Sequence, residues 1–323
     1  MIEVLVVGAG WSGLVAAARL AARGRSVVVV EKSRGAGGRC ATRREQGFVF
    51  DHGAQYLTVR SEAFERQVQA WAHSGLLEAW QPRLTVFGQQ PAGASETPRR
   101  RWVGVGGMNA VPHQLARGLD CRWQWRAQTL TFDRDGWEVR SSQGETLRAQ
   151  SLLLTAPAPQ CADLLGAEHP LSATLRSVDM LPCWALMLGF EQSVDCDFDA
   201  AFVNRGPLTW LARRPAAIDG GRGEAWIAHA APDWSLAHQG QTASGVAAAL
   251  HSAAAQLVPA LGRQPRLCSA HLWRHARARQ APGGTILRDD ATSLVVAGDW
   301  CAGERVEGAW ISGVAAARHL GKY

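Results

Sequence analysis

Lysine is nearly absent from this chain. Of the 34 basic residues set against 28 acids, only Lys32 and Lys322 are lysines, so arginine carries almost all of the formal charge of +6. The arginines are scattered, and the 14 tryptophans do not interleave with them as a base-stacking platform would, which argues against nucleic acid as a partner. Arginine suits phosphorylated ligands better. Seven cysteines, at 40, 121, 161, 183, 196, 268 and 301, form no CxxC pair and no zinc spacing, and their odd number speaks against a disulfide framework. Most read as buried apolar thiols. His271 and His275 stand four apart without the acid of an HExxH motif, so no metal site is expected. No apolar run is long enough to span a membrane, so no membrane partner is expected. The first strand begins at Ile2, which leaves no room for a cleaved targeting segment, and the cytoplasm is the expected location. There is no internal repeat and no low-complexity tail.

What the chain does have, within its first residues, is a bare turn. Val4 to Val7 is a short β-rich apolar run, Leu14, Ala17, Ala18 and Leu20 follow helical spacing, and Gly8-Ala9-Gly10-Trp11-Ser12-Gly13 lies between them. A G-x-G-x-x-G between strand and helix lets the backbone approach a pyrophosphate, which the helix N-terminus meets with free N–H groups and partial positive charge. A second β run, Ser26 to Val30, delivers Glu31 eighteen residues after Gly13, where a carboxylate accepts from an adenosine ribose. Together these elements indicate a dinucleotide-binding domain.

Beyond Glu31 the spacing predicts a helix over 61–77, an exposed loop over 88–100, successive strands over 122–155 and an Ala-rich helix over 242–261. The chain closes on "SLVVAGDWCAGERVEGAWISGVAAARHL", a strand, a loop and a helix whose strand matches the first in character. The expected fold class is α/β, a Rossmann-like domain with a mainly parallel sheet plus a second α+β substrate domain. The cofactor domain should be discontinuous, made of 1–60, 102–160 and 285–323, with 61–101 and 161–284 forming the substrate lid.

The glycine turn with Glu31, "GAGGRCATR" at 35–43, "GGM" at 106–108 and the closing "VEGAxxSGxxAA" pattern resemble the FAD-dependent amine oxidoreductase superfamily. The segments "FDHGAQYLTVR", "PCWALMLGFE", "AWIAHAAPDWS" and "HLWRHA" resemble its renalase-like members. The resemblance implies that Gly8, Gly10, Ser12 and Gly13 hold the FAD pyrophosphate and Glu31 the ribose, with Lys32, Gly38 and Arg39 supplying the second phosphate loop. Ala127 would meet the adenine through its backbone. Ala54, Gln55 and Tyr56 would border the isoalloxazine, Gly298 and Asp299 the ribityl side, and the amides of Val306 and Glu307 the flavin carbonyl. The binding implied is non-covalent, because the residues around Cys268 do not match those of relatives that attach FAD.

Two departures from the amine oxidases stand out. The lysine that reaches their flavin through a water has no counterpart here. Where their closing motif places an aromatic cage tyrosine, the aligned residue is Arg305, whose fixed charge attracts phosphate or carboxylate. The renalase-like resemblance therefore implies a reduced nicotinamide dinucleotide, a 2- or 6-dihydro isomer of NAD(P)H, as substrate and dioxygen as acceptor, yielding NAD(P)+ and hydrogen peroxide. Trp184, His229, Trp273 and Arg305 are the candidate walls of its cavity. No catalytic acid, base or nucleophile is identified, as suits hydride transfer between stacked partners. An amine oxidase, a desaturase and a non-enzymatic flavin-binding protein remain as alternatives.

Overall fold

Val27 to Val30 and Val4 to Val7 are β-branched or apolar on both sides, which fits strands covered on both faces. In the computed structural model, which describes residues 2–89, 100–215 and 223–322, they lie at the heart of the largest sheet. Its strands run in the order Ala127–Asp133, Gly136–Ser141, Thr146–Leu154, Ile2–Val7, Val27–Glu31, Asp120–Trp123. The last four of these are parallel neighbours. Thr146–Leu154 divides its pairing, its first half antiparallel to Gly136–Ser141 and its last three residues parallel to Leu294–Val296. The strand near the end of the chain thus joins the sheet of the first strand. Thr146–Leu154 is one continuous strand, with Leu147, Ala149 and Ser151 to Leu154 buried.

Helices Trp11–Ala21 and Val306–Leu320 cover one face of this sheet, packing Leu14, Leu20, Ala316 and Leu320 against Val4, Val6 and Val29. The two helices meet backbone to backbone. A Cβ added to Gly313 would stand 2.5 Å from the Ser12 carbonyl oxygen, and the Ser12 hydroxyl donates to the Ala309 carbonyl at 2.9 Å. Trp125, Cys161, Leu175 and Trp300 belong to the core on the other face.

A second sheet is mostly antiparallel, in the order Leu267–Ala278, Met180–Phe190, Glu224–Ala230, Leu208–Arg213, Ala200–Val203, Leu84–Phe87. Helix Ala243–Leu257 backs it, with Val246 and Leu250 against Trp184, Leu186 and Leu188. Helix Glu62–His73, capped by Ser61, falls within the expected range but packs Phe64, Val68 and Trp71 against Trp11, Val15, Trp310 and Val314. Strand Leu77–Trp80 pairs with Arg101–Gly104, which also pairs with Leu57–Thr58. We therefore propose a two-domain division close to the expected one, with 61–80 moved to the cofactor side and only Leu84–Phe87 of that segment in the lid. Most of the loop expected over 88–100 lies outside the described residues, which omit 90–99.

Replacing Gly313 with Ala forces the two helices apart. Overpacking costs about 1–3 kcal/mol, against which the helix gains about 1 kcal/mol from alanine's propensity. Equilibrium denaturation should show a net loss of stability, and FAD retention should fall with it. An unchanged denaturation midpoint would contradict the contact.

Candidate active site

The glycine turn is shaped by what surrounds it. Gly8 has φ +114, and a Cβ there would come within 2.5 Å of the Thr155 hydroxyl oxygen. One on Gly13 would stand 2.1 Å from the Gly8 carbonyl oxygen, so any side chain would break the turn. Gly10 is different. Nothing lies within 4 Å of its added Cβ, so the backbone there is open to close approach. Helix Trp11–Ala21 begins directly after it with no side-chain cap and no acid in its first turn. Its first amides and partial positive charge are left for an anion from outside the chain.

Glu31 is buried at the end of its strand. Its Oε2 accepts from the Ala9 amide at 2.8 Å, and Oε1 accepts from the Ser33 amide at 2.8 Å and hydroxyl at 2.5 Å. The carboxylate is held beside the turn with lone pairs still available to ribose hydroxyls. Lys32 donates to the Gln160 side chain at 3.0 Å. Burial lowers its pKa, with the charge of Arg126 acting in the same direction and that of Glu31 opposing. Ala127 opens the strand Ala127–Asp133, where pairing with Ser141 shifts register.

Against the glycine turn, Gly37 donates to the Ala9 carbonyl at 3.0 Å, and Gly38, with φ +55, lies against Gly10. This loop carries Arg39, which forms a bidentate pair with the buried Asp299 and donates to the Ala276 carbonyl at 3.1 Å. The N-cap of the short helix Asp299–Ala302 is Gly298, so Asp299 serves as an ionic partner in the first turn. Helix Val306–Leu320 starts after the exposed Arg305, again with no side-chain cap. The amides of Val306 and Glu307 stand at that start, as expected. The Glu307 side chain has a further role that local sequence did not signal. It is buried, and it accepts from the Arg60 amide at 2.8 Å, the Ser61 amide at 2.8 Å and the Ser61 hydroxyl at 2.6 Å. Two helix N-termini are thereby tied together.

The second sheet supplies a wall. His271, Ala185, His229, Trp210 and Phe202 are directly paired across five strands, so they share one face. Segment 52–56 lies along this row. The His52 backbone carbonyl accepts from Trp273 Nε1 at 3.0 Å and from His229 Nε2 at 3.3 Å, and the Gln55 side-chain Oε1 accepts from Trp210 Nε1 at 2.5 Å. Tyr56 packs on Trp210 and Trp80. The His52 ring packs on His271 and Trp273, with centroids 5.0 and 4.9 Å away. Burial holds these imidazoles neutral. His52 is pushed down to about 3, by burial first and then by the His271 and Arg43 charges, and His229 to about 4 by burial.

His229 and Trp273 therefore lie on the wall, joined by His52 and His271, which sequence reasoning did not nominate. Trp184 does not. It points to the opposite face, packed with Leu186 and Leu188 under helix Ala243–Leu257, with its Nε1 donating to the His238 carbonyl at 3.3 Å. Strand Met180–Phe190 is apolar on both faces, so no alternation told them apart. Cys268 shares that far face, opposite Leu188, with its Sγ near the Ala247 carbonyl. Among the described residues no cluster of His, Cys, Asp or Glu is arranged to hold a metal, and no helix is long and apolar enough to cross a membrane.

The model of flavin-containing amine oxidoreductases matches residues 61–321, and that of NAD(P)-binding Rossmann-like domains matches 6–71. The chain belongs to the flavin-containing amine oxidoreductase family. This flavoenzyme is also similar, over 99% of both chains, to the structure of cyclohexylamine oxidase from Brevibacterium oxydans, with a TM-score of 0.77 at 14% identity. A redesigned putrescine oxidase gives 0.72 at 13% identity, covering 99% of this chain and 98% of that one. These likenesses concern the fold. Curated relatives match locally. An inactive all-trans-retinol 13,14-reductase of Danio rerio is 48% identical over 56 residues, and a zeta-carotene-forming phytoene desaturase of Myxococcus xanthus is 46% identical over 68. Those matches take in 17% and 21% of this chain but only 9% and 13% of the relatives' lengths. The flavoenzyme is an oxidoreductase with FAD as its cofactor, and the open turn at Gly10, the two uncapped helix starts and the buried Glu31 fit that group.

Two outcomes follow from this geometry. Glu31→Ala should weaken FAD binding by about 1.5–3 kcal/mol, the worth of hydrogen bonds to a charged group, and equilibrium dialysis showing unchanged affinity would refute the ribose assignment. The depressed His52 and His229 bind protons in the unfolded chain near their ordinary 6.5 but not in the native one. Their share of stability is therefore lost as pH falls from about 6.5 towards 4 and 3. Denaturation of a His52→Leu variant should depend less steeply on pH over that interval than wild type, and an equal slope would contradict the assignment.

Proposed function

We propose that this enzyme oxidises 2- or 6-dihydro isomers of NAD(P)H to NAD(P)+. The observation that carries the proposal is a wall of neutral histidines and tryptophans on which the charges of Arg43 and Arg274 act. His271 feels the charges of Arg43 and Arg274, and Arg305 stands exposed at the start of Val306–Leu320. An ammonium substrate would meet like charge there, whereas the phosphates of a dinucleotide would meet partners. FAD supplies the two-electron acceptor. The chain's part is to stack the nicotinamide against Trp273 and the histidines, to keep water from the reacting carbon and to hold the phosphates near Arg305. Neutral imidazoles suit this role, because a hydride donor needs alignment more than proton abstraction. Dioxygen takes the electrons, so that substrate, dioxygen and one proton become NAD(P)+ and hydrogen peroxide.

An amine oxidase or a desaturase is the second reading, supported by what the similar proteins are named for. Non-covalent FAD belongs to the proposal, because Cys268 faces away from the wall. The seven cysteines are free, as in a reducing compartment, and we place the enzyme in the cytoplasm.

Anaerobic mixing with 2- or 6-dihydroNAD(P) should bleach the flavin much faster than 4-dihydroNADH or a primary amine does, and air should restore the colour with peroxide formed. Arg305→Ala should weaken capture of the dinucleotide by about 1.5–3 kcal/mol and leave the flavin spectrum unchanged, with all flavin released by acid. Rapid bleaching by benzylamine, with none by the dihydronicotinamides, would replace this reading with the second.

A further inference from the structure

Asp51 ends the strand Phe48–Asp51 with its carboxyl group buried. Its Oδ1 accepts from the Thr42 hydroxyl at 2.6 Å and from the Met108 amide at 3.0 Å. Among the described residues its Oδ2 has no hydrogen-bond partner. A buried carboxyl oxygen without a donor is costly, and native structures rarely leave one. Beside it lies a small cavity with room for about one water, lined by Asp51, Gln55, Arg213, Arg214, Phe50 and Ile227. The cavity backs onto the active-site wall through Gln55. Because the Trp210 indole can only donate, it fixes the Gln55 Oε1 towards itself and leaves the Gln55 side-chain amide protons as donors elsewhere.

The charged and titratable groups around Asp51 are Arg44 and Arg214, whose charges favour its ionised form, the Cys40 thiol, pushed up to about 12 by burial, and the neutral His52. Burial is the larger influence and raises the Asp51 pKa, against the hydrogen bonds from Thr42 and Met108 and the two arginines.

The reaction has a use for such a group. A hydride brings two electrons and one proton, whereas dioxygen needs two electrons and two protons to become hydrogen peroxide. The second proton comes ultimately from solvent, and a protein group that relays it would speed the step. His52 and His229 are neutral, Lys32 is bound to Gln160, and Lys322 lies beyond the last helix. We propose that the Asp51 carboxyl group, through a water held between it and Gln55, supplies the proton consumed when dioxygen is reduced. The inference rests on the flavin-oxidase reading but not on which substrate delivers the hydride.

Asp51→Asn tests it, because the Asn Oδ1 can still accept from Thr42 and Met108. Holoenzyme reduced anaerobically with dithionite would be mixed with dioxygen across a range of pH. The wild-type rate should fall as pH rises through the Asp51 titration and should be slowed in deuterium oxide. In Asp51→Asn the rate should be lower by about 100-fold, the lower end of what a positioned general acid contributes, and flat with pH. Infrared difference spectra should show a protonated-carboxyl band in wild type that the variant lacks. A variant that reoxidises at the wild-type rate, a band that persists in it, or a wild-type step indifferent to deuterium oxide would each overturn the proposal. No nicotinamide enters this experiment, so its outcome is separate from that of the bleaching test.

Discussion

The backbone contact between the first and last helices is the constraint on which the site depends. Gly313 brings the helix near the C-terminus against the Ser12 carbonyl, and the Ser12 hydroxyl bonds across to Ala309. A side chain at Gly313 would push the helices apart and displace their starts. With it absent, the two helices pack together and both begin without side-chain caps, one after Gly10 and one after Arg305. Each carries unpaired amides and about half a positive charge. The fold leaves this electrostatic demand for a ligand that carries both a pyrophosphate and an electron-accepting carbonyl.

Burial sets the chemistry of the wall. The same dehydration that holds His52 and His229 neutral raises the Asp51 pKa. The positive charges acting on His52 and His271 include those of Arg43 and Arg274, which stay protonated. A site of this kind aligns and excludes water more readily than it abstracts protons from substrate. Glu307 adds rigidity, because its buried carboxylate anchors the start of helix Glu62–His73 to the start of Val306–Leu320.

The cofactor half was legible in sequence because its signals are local. A strand, three glycines, a helix and Glu31 occupy thirty consecutive positions, and each glycine answers to a clash or an opening nearby. The wall was not legible in the same way. His52, His229 and His271 are brought together by strand register across more than two hundred residues, which no local pattern encodes. Trp184 shows the limit within a single strand. Residues on both sides of Met180–Phe190 are apolar, so nothing in the sequence marks which side forms the wall. Segment 61–80 has a clear helical rhythm, but the partners of Phe64 and Trp71, namely Trp11 and Trp310, are distant in sequence.

The central claim is that the two uncapped helix starts face one FAD, one at its pyrophosphate and one at its flavin ring. Amide hydrogen exchange on flavin-depleted protein, with and without added FAD, tests it directly. The account predicts slowed exchange in 11–13, in 306–308 and along 52–56 when FAD is added. Slowing confined to 11–13, with 306–308 exchanging as fast as before, would contradict it.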